Sequence, residues 1–487
     1  MSKQITSLEP KELWTHFSEV NAVPRPSKKE ERIIEFMMEF GKKLGLETSK
    51  DEVGNVIIKK PASKGMENRQ TVVLQSHLDM VHQKNASTKF DFNTQGIEMV
   101  VDGDWVKANG TTLGADNGIG VASIMTILSS DSISHPPIEA LFTIDEETGM
   151  TGALNLKGGL LKGKILLNLD TEDDNELTIG CAGGIDVTAT GSYTLEAAPP
   201  NVVFCSIQVK GLTGGHSGMD IYKGRGNANK IMNRVLVGAF EKYGIQIASI
   251  DGGSLRNAIP RESVAEIVVG EKDLDTFMAY IKSIEKELKF EYKTTDPNFS
   301  LSTSPIEIKK RVLQKGFQAK LLKSLYACAN GVYRMSPDIE HLVQTSNNLA
   351  RVVVAEGEYS IQCLTRSSVD SEKMDLANTL RHTFELIGAR VLFNGSYPGW
   401  TPNPDAPIIK IMNDLYKEMY KEDALVNACH AGLECGILGT NYPGMQMISF
   451  GPNIRGAHSP DEKVQISSVQ KYWPYLLETL KRIPAIN

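Results

Sequence analysis

Apolar residues recur at two different periods along the first part of the chain. Ile33, Phe36, Met37, Phe40 and Leu44 keep helical spacing and predict a helix that ends at Gly45. Short apolar runs rich in β-branched residues follow, and runs of this length are typical of buried parallel strands. These runs are NVIIKK (55–60), TVVLQSH (71–77), IEALFTID (138–145) and KILLNLD (164–170). The pattern therefore predicts an α/β domain with a mostly parallel sheet flanked by helices.

From about residue 187 to 397 the predicted order changes to strand, helix, strand, strand, helix, strand, and this order occurs twice. The first set begins at VVFCSIQVK, and the second begins at FSLSTSPI and ends at RVLFNGS. After residue 398, ALVNAC and MQMISF predict strands and SSVQKYWPYLLETLKRI a closing helix. We therefore expect a discontinuous domain, residues 1–186 and 398–487, carrying an inserted α+β domain, residues 187–397, of two βαββαβ-like halves.

The composition of the chain argues against several classes of protein, namely nucleic-acid-binding, membrane-spanning and secreted proteins. The chain has 487 residues, too many for one ordinary core, and a net charge of −7 without any stretch rich in Lys and Arg. No apolar run approaches the ~18 residues of a membrane helix, and the opening MSKQITSLEPKELW lacks the apolar segment of a signal peptide. Six scattered cysteines without a CxxC pair suit reduced thiols. We therefore expect a cytoplasmic protein that binds neither nucleic acid nor membrane.

Potential metal ligands follow the ends of three predicted strands. A further acid, Asp116, lies in the glycine-bearing loop GTTLGADNGIG, just ahead of a predicted helix. In an open α/β sheet, ligands bind beyond the carboxyl ends of the strands. The residues at these ends are His77 and Asp79 after the first strand, Asp145, Glu146 and Glu147 after the second, and Asp170 after the third.

Histidine and carboxylate ligands without cysteine suit catalytic zinc, cobalt or manganese. One metal needs about three protein ligands, and this set is larger, which indicates two metals that share a bridging carboxylate. A second histidine would balance the site, and His458 in GAHSPDE is the best-placed candidate. Two dications would also neutralise acids that a dry strand end could not otherwise hold. We expect two divalent ions per chain, Zn2+ as first choice and Co2+ or Mn2+ as alternatives.

Each of these elements has a plainer explanation when it is taken alone. Asp116 could simply cap the helix that follows it. The run from Asp145 to Glu147 could be a solvated turn. GADNGIG also resembles a dinucleotide-binding glycine loop, although the order of its residues is off pattern. Their joint placement at one edge of a sheet favours the metal site.

Six short motifs occur along the chain in a fixed order: SHLDMV, GTTLGADNGIGVA, DEETGMTGA, NLDTED, GGHSGMDI and GAHSPDE. In this order they resemble the co-catalytic zinc peptidases related to carboxypeptidase G and the aminoacylases. Within that group the resemblance is closest to the aminoacyl-histidine (Xaa-His) dipeptidases, also called cytosolic non-specific dipeptidases. The motifs extend from residue 76 to about 462, so the resemblance covers nearly the whole chain.

The resemblance implies a role for each residue at the strand ends. Asp116 would bridge the metals, with His77 and Asp170 completing one site and Glu147 and His458 the other. Glu146 would be the general base, and Asp79 an acid that orients His77. Spacing alone leaves open which of Glu146 and Glu147 is the ligand and which the base. Asp145 has no assigned role beyond structural hydrogen bonding.

The resemblance implies four substrate-binding residues, of which three lie in the inserted domain. His216 in GGHSG would reach the substrate carbonyl oxygen, and Asn257 and Arg366 would hold the substrate carboxylate. Gly432 in HAGLECG would lie near the same end of the substrate. Without the resemblance, a salt bridge explains Arg366 equally well. The inserted domain would then act as a lid over the catalytic domain.

The sequence as a whole predicts a metallo-dipeptidase. It would cleave dipeptides with a free C-terminal carboxylate, including Xaa-His and broader dipeptides, by metal-activated water with Glu146 as general base. The alternative is a related carboxypeptidase, tripeptidase or N-acyl-amino-acid deacylase on the same metals. A non-catalytic scaffold is a further rival, which the presence of a base argues against. Short peptides are the expected partners of a monomer or homodimer, with His216 acting in its own chain or across the dimer.

Overall fold

The computed structural model describes residues 2–307 and 311–486, and in it the chain forms two compact units. The first unit consists of the chain up to Gly180, Trp400–Ala428 and the chain from Leu433 onwards. The second consists of Cys181–Gly399 and Cys429–Gly432. The second unit begins at Cys181 and its main segment ends at Gly399, where the sequence predicts residues 187 and 397. No helix among the described residues is both long enough and apolar enough to cross a membrane.

An eight-stranded sheet forms the centre of the first unit. Its central strands are buried along their whole length, as strands covered on both faces must be. In spatial order its strands are Glu47–Lys50, Val56–Lys60, Ile138–Thr143, Val72–His77, Ile165–Asn168, Gln446–Ser449, Glu176–Cys181 and Leu425–Cys429. A smaller four-stranded sheet contains Ile454–Arg455, Lys463–Gln465, Trp105–Ala108 and Met99–Asp102.

The large sheet is parallel at its centre. Val72–His77 pairs in parallel with both of its neighbours, and Ile165–Asn168 pairs in parallel with Gln446–Ser449. Val56–Lys60, which the sequence predicts as a parallel strand, is antiparallel to both of its neighbours. A short turn joins it to Glu47–Lys50, and a connection this short only permits an antiparallel hairpin. The sheet is therefore mixed rather than mostly parallel.

Helices of very different character flank this sheet. Ala115–Ser129 is buried along almost its whole length and packs against Lys11–Ala22, as expected for a helix that is apolar on all sides. Glu31–Lys43, by contrast, buries only one stripe of side chains. The other helices of this unit are Ser2–Ile5, Glu146–Gly149, Thr151–Asn155, Pro407–Tyr420, Glu434–Asn441 and Ile466–Lys481.

The second unit contains a nine-stranded antiparallel sheet. Its helices are Ala228–Tyr243, Leu274–Glu291, Lys315–Ala327 and Asp370–Glu385, with short 3-10 turns at Ile221–Lys223 and Glu271–Asp273. Its strands in spatial order are Ser300–Pro305, Val202–Lys210, Ser263–Gly270, Gln246–Gly253, Val343–Ala355, Glu358–Ser367, Gly183–Ser192 and Arg390–Tyr397, with Gly331–Met335 also paired to Val343–Ala355. A separate two-stranded ladder joins Leu195–Ala197 to Arg311–Leu313.

The two halves of this sheet have the same strand order and meet where Gln246–Gly253 pairs with Val343–Ala355. The α/β fold with an inserted, duplicated α+β domain is therefore confirmed, with one correction. FSLSTSPI forms Ser300–Pro305, which pairs with Val202–Lys210 in the first half and does not open the second. The first strand of the second half is Gly183–Ser192, which precedes the whole first half in the sequence.

Candidate metal centre

The parallel register of the first unit brings the ends of three strands to one edge of the sheet. His77 lies opposite Thr143, and Gln75 lies opposite Asn168. The segments that follow Thr143 and Asn168 therefore leave the sheet beside His77. These segments carry the acids that the sequence analysis singles out.

His77 is the centre of a first cluster, which it forms with Asp116 and Asp170. Its Nε2 atom lies 3.2 Å from Asp116 Oδ1 and 3.6 Å from Asp170 Oδ1, and its side chain is almost fully buried. The ligand atoms of all three residues lie within 4.8 Å of one another. This spacing permits one metal ion to contact all three.

A second cluster consists of Asp116, Glu147 and His458. The Nε2 atom of His458 lies 3.2 Å from Asp116 Oδ2 and 3.0 Å from Glu147 Oε2. The His458 side chain is 56% exposed, so this cluster opens toward solvent. Asp116 directs one carboxylate oxygen toward each cluster, which is the arrangement of a ligand shared by two metals.

The donor set fits divalent cations. Oε1 of Glu147 is buried and accepts no hydrogen bond from the described residues. This carboxylate oxygen is therefore available to a cation. Burial raises the pKa of Glu147 and raises the pKa of Asp170 to about 6, because the neighbouring acids cannot all ionise in a dry site. Cations bound among imidazole nitrogens and carboxylate oxygens would remove this penalty.

Glu146 and Asp79 lie directly beside the clusters. A carboxylate oxygen of Glu146 lies within 4.8 Å of ligand atoms of His77 and Glu147. Burial raises the pKa of Glu146 well above its usual range. Asp79 Oδ1 lies 3.2 Å from His77 Nδ1 and accepts a hydrogen bond from the Glu146 backbone at 3.0 Å. Asp79 thus contacts both the histidine and the segment that carries Glu146.

Asp145, the remaining acid of this run, has a structural role. The hydroxyl groups of Thr148 and Thr151 donate hydrogen bonds to its two carboxylate oxygens. Its backbone N–H donates to Glu30 Oε1 at 3.1 Å. The side chain of Asp145 thereby closes the turn after the strand, and its neighbours point into the clusters.

The second unit contains the four residues that the sequence analysis assigns to substrate binding. His216 Nδ1 accepts hydrogen bonds from the backbone of Gly218 and Met219, at 3.2 Å and 3.0 Å. Ser217 N donates to the carbonyl oxygen of Asn257 at 2.8 Å, so the Asn257 loop runs beside the His216 loop. These contacts bring His216 and Asn257 together.

Arg366 and Gly432 are linked to each other through His430. Arg366 is only 4% exposed, and its Nη1 donates to the Tyr397 hydroxyl at 2.7 Å. It pairs across the sheet with Ser346, whose hydroxyl is 2.7 Å from His430 Nε2, and Gly432 follows two residues later. Their roles in substrate binding stay predictions.

Two further groups support the site without standing out in the sequence. Glu462 accepts hydrogen bonds from the backbone of the loop that carries Asp116, and Arg25 donates to that loop. Glu462 lies in GAHSPDE, a motif used above only for His458. A carboxylate that accepts hydrogen bonds from backbone N–H groups leaves no recognisable pattern in a sequence. The only signal for Glu462 is that an acid lies close to His458 in the same motif.

The sequence of the chain is similar to those of known peptidases. The profile of peptidase family M20/M25/M40 matches residues 73–482. The chain belongs to this peptidase family. The M20 chain is 41% identical over 482 residues to the cytosol non-specific dipeptidase of Escherichia coli strain K12, with 99% of each protein covered.

Solved structures agree with this membership. The M20 chain matches the crystal structure of aminoacylhistidine dipeptidase from Vibrio alginolyticus with a TM-score of 0.92 and 42% identity, covering 100% of each chain. Aminopeptidase PepT from Bacillus cereus shares the fold at 15% identity, with a TM-score of 0.57. The resemblance stated from the motifs is therefore confirmed.

Proposed function

We propose that the protein is a di-metal dipeptidase. The observation that carries this proposal is the shared position of Asp116 between two histidine-bearing clusters, with Glu146 at their side. The names of the two most similar proteins reported above, a non-specific dipeptidase and an aminoacylhistidine dipeptidase, support dipeptides as the substrate class. We include dipeptides with C-terminal histidine among the substrates.

His77, Asp116 and Asp170 would hold one divalent ion, and Glu147 and His458 would hold a second together with Asp116. Such ions supply Lewis-acid chemistry, polarising a peptide carbonyl and lowering the pKa of water. Zinc is our first choice, because imidazole nitrogen and carboxylate oxygen suit it well, with cobalt and manganese as alternatives.

The chain's own residues move the proton and hold the substrate. Glu146 takes a proton from the attacking water at its carboxylate and delivers it to the leaving amine nitrogen. Asp79 keeps Glu146 in place through the backbone hydrogen bond at 3.0 Å. In the second unit, which we propose acts as a lid, Arg366 and Asn257 would bind the C-terminal carboxylate. His216 would donate a hydrogen bond to the carbonyl oxygen, and the Gly432 segment would leave room for the substrate.

The Glu146→Gln variant tests the central assignment. We expect it to bind as much metal as the wild type and to lose hydrolysis by at least the ~10²–10⁴-fold that general acid–base catalysis contributes. Elemental analysis and dipeptide turnover, measured on the same preparation, check both expectations. Asp116→Asn is the contrasting variant and should lose bound metal, since it removes the shared ligand. Wild-type turnover in Glu146→Gln would contradict the proposal.

A substrate panel separates this function from the related ones. The panel contains Xaa-His dipeptides, other dipeptides, tripeptides and N-acyl amino acids. We expect cleavage of dipeptides, including those with C-terminal histidine, and little activity on the other classes. Preferential cleavage of tripeptides or N-acyl amino acids would favour a tripeptidase or a deacylase instead.

The cytosolic relative supports a cytoplasmic location, which cell fractionation checks. Light scattering distinguishes the monomer from the homodimer.

A further inference from the structure

A single buried carboxylate holds the loop that carries Asp116. Glu462 is 2% exposed, and its oxygens accept hydrogen bonds from four consecutive backbone N–H groups. Oε2 accepts from Leu113 at 2.7 Å and Gly114 at 2.9 Å. Oε1 accepts from Ala115 at 2.8 Å and Asp116 at 3.2 Å. Hydrogen bonds to a charged acceptor are roughly twice as strong as neutral ones, so this loop is firmly fixed.

Arg25 holds the same loop from its carbonyl side. The side chain is 1% exposed, and Nη2 donates to the Gly114 carbonyl oxygen at 2.6 Å. Nη1 donates to the Asp79 carbonyl oxygen at 3.0 Å. The guanidinium therefore joins the Asp116 loop to the segment that follows His77. Glu462 and Arg25 hold the loop between complementary charges.

Glu462 also belongs to the loop that carries His458. Its backbone N–H donates to the Ser459 carbonyl oxygen at 3.1 Å, which closes a turn directly after the histidine. The strand Lys463–Gln465 follows and pairs antiparallel with Trp105–Ala108. The Glu462 backbone is therefore fixed on both sides, and its side chain spans from one ligand-bearing loop to the other.

We propose that Glu462 is a positioning residue of the metal centre. It fixes the distance between Asp116, the shared ligand, and His458, the histidine of the second cluster. A carboxylate is required here, because it only accepts hydrogen bonds, whereas the NH2 group of a glutamine would face two of the N–H donors. Without this anchor Asp116 would shift relative to His458, and both metals would be held less tightly. The inference rests on the proposed di-metal function.

Three variants test this inference. Glu462→Gln removes the charge at nearly constant size, and Glu462→Asp keeps the charge but shortens the reach. Glu139→Gln is the matched control, since Glu139 is also buried, at 3% exposure, and accepts backbone hydrogen bonds from Lys162 and Gly163 at 2.7 Å and 3.0 Å. Glu139 lies at the opposite end of its strand from Thr143, away from the clusters.

Each protein is loaded with Co2+, and competition with a chelating dye gives the dissociation constants. The visible absorption spectrum of the bound Co2+ reports its coordination, and circular dichroism reports the fold. We expect Glu462→Gln to weaken Co2+ binding about 10–100-fold and to change the spectrum, as for other residues that orient a metal ligand. Glu462→Asp should show a smaller loss, and Glu139→Gln should leave affinity and spectrum unchanged.

Wild-type affinity and an unchanged spectrum in Glu462→Gln would overturn the inference. An equal loss in Glu139→Gln would overturn it as well, because the effect would then be one of general stability. If Glu462→Gln does not fold, Glu462→Asp decides the matter, and wild-type Co2+ binding in that variant counts against the inference. Failure of the proposed function is a separate result, recognised when the wild-type protein itself binds fewer than two ions or cleaves no dipeptide.

Discussion

His430 is a neutral histidine buried in the second unit. It is 6% exposed, and its Nε2 atom lies 2.7 Å from the Ser346 hydroxyl. Burial lowers its pKa to about 3, and the positive charge of Arg366 and the nearby imidazole of His216 add to this shift. The fold therefore accepts this imidazole only in its uncharged form.

Acid should destabilise the second unit through His430. Between about pH 6.5 and pH 3 the unfolded chain binds a proton at this residue and the folded chain does not, so stability falls as the pH falls. The loss approaches ~1.4 kcal/mol per pH unit below ~6.5, and above that pH the contribution is constant. Urea unfolding at about pH 5 and about pH 7 measures it.

His430→Gln should reduce this difference between the two pH values. His341→Gln is the control, because that side chain is 91% exposed in the same unit. An equal pH dependence in wild type and His430→Gln would show that other groups cause the acid loss.

At the residue scale the sequence predicts which side chains could bind a metal better than it predicts which groups hydrogen-bond to them. The joint placement of His77, Asp116 and the other acids at one edge of the sheet predicts a metal site, although none of these residues predicts it alone. The division of roles between Glu146 and Glu147 needs the family resemblance, since spacing treats the two acids alike. Glu462 escapes prediction because its partners are backbone groups, which every residue possesses.

At the scale of elements, the glycines of GADNGIG serve close packing. Gly114 has φ of +70°, and a Cβ there would lie 2.5 Å from Arg25 Nη2. Gly120 lies in the helix Ala115–Ser129, where a Cβ would lie 2.5 Å from Ser76 Oγ and 2.7 Å from the Leu169 carbonyl oxygen. The helix touches the strand ends at this point. Close approach to the sheet therefore accounts for a glycine pattern that resembles a dinucleotide-binding loop.

Gly120→Ala should destabilise the protein. Alanine favours helix over glycine by about 1 kcal/mol, but forcing a methyl group into this contact typically costs ~1–3 kcal/mol, and backbone at Leu169 cannot yield cheaply. We expect a net loss in urea unfolding. Gly316→Ala is the control, since Gly316 is also helical but exposed, and a Cβ there would come no closer than 3.2 Å to any atom. Equal stability of Gly120→Ala and wild type would contradict the close packing.

Strands are easier to predict than their partners. The apolar runs at Val72–His77, Ile138–Thr143 and Ile165–Asn168 are strands as predicted. Their length and β-branched residues determine this locally. The direction of Val56–Lys60 and the place of Gly183–Ser192 depend on pairing with distant segments, which periodicity does not encode.

At the scale of the whole molecule, the proposed metals would be part of the fold of the first unit. The ligands come from segments far apart in the sequence, between His77 and His458. Bound cations would join these segments and neutralise acids that repel one another when the ions are absent. Metal binding and folding of this unit should then be linked.

Removal of metal by a chelator should lower the Tm and abolish hydrolysis. An ion present at about 100 times its Kd stabilises the folded state by ~2.7 kcal/mol for one site. If calorimetry resolves two transitions, we expect only the one belonging to the first unit to shift, and added metal should restore it. The Tm of the Asp116→Asn variant should depend little on added metal. An unchanged Tm in protein stripped of its metal would argue against the linkage.

The strand Gly183–Ser192 has a consequence for the duplicated sheet. This strand lies between Glu358–Ser367 and Arg390–Tyr397, yet the chain builds the entire first half before it returns to these partners. The second half is thus not a continuous stretch of sequence, because the first half, residues 202–305, is inserted between its first strand and its remaining strands. During synthesis, more than a hundred and fifty further residues are made after Gly183–Ser192 before its partner strand Glu358–Ser367 is synthesised. The two halves are therefore nested in the sequence and do not follow one another.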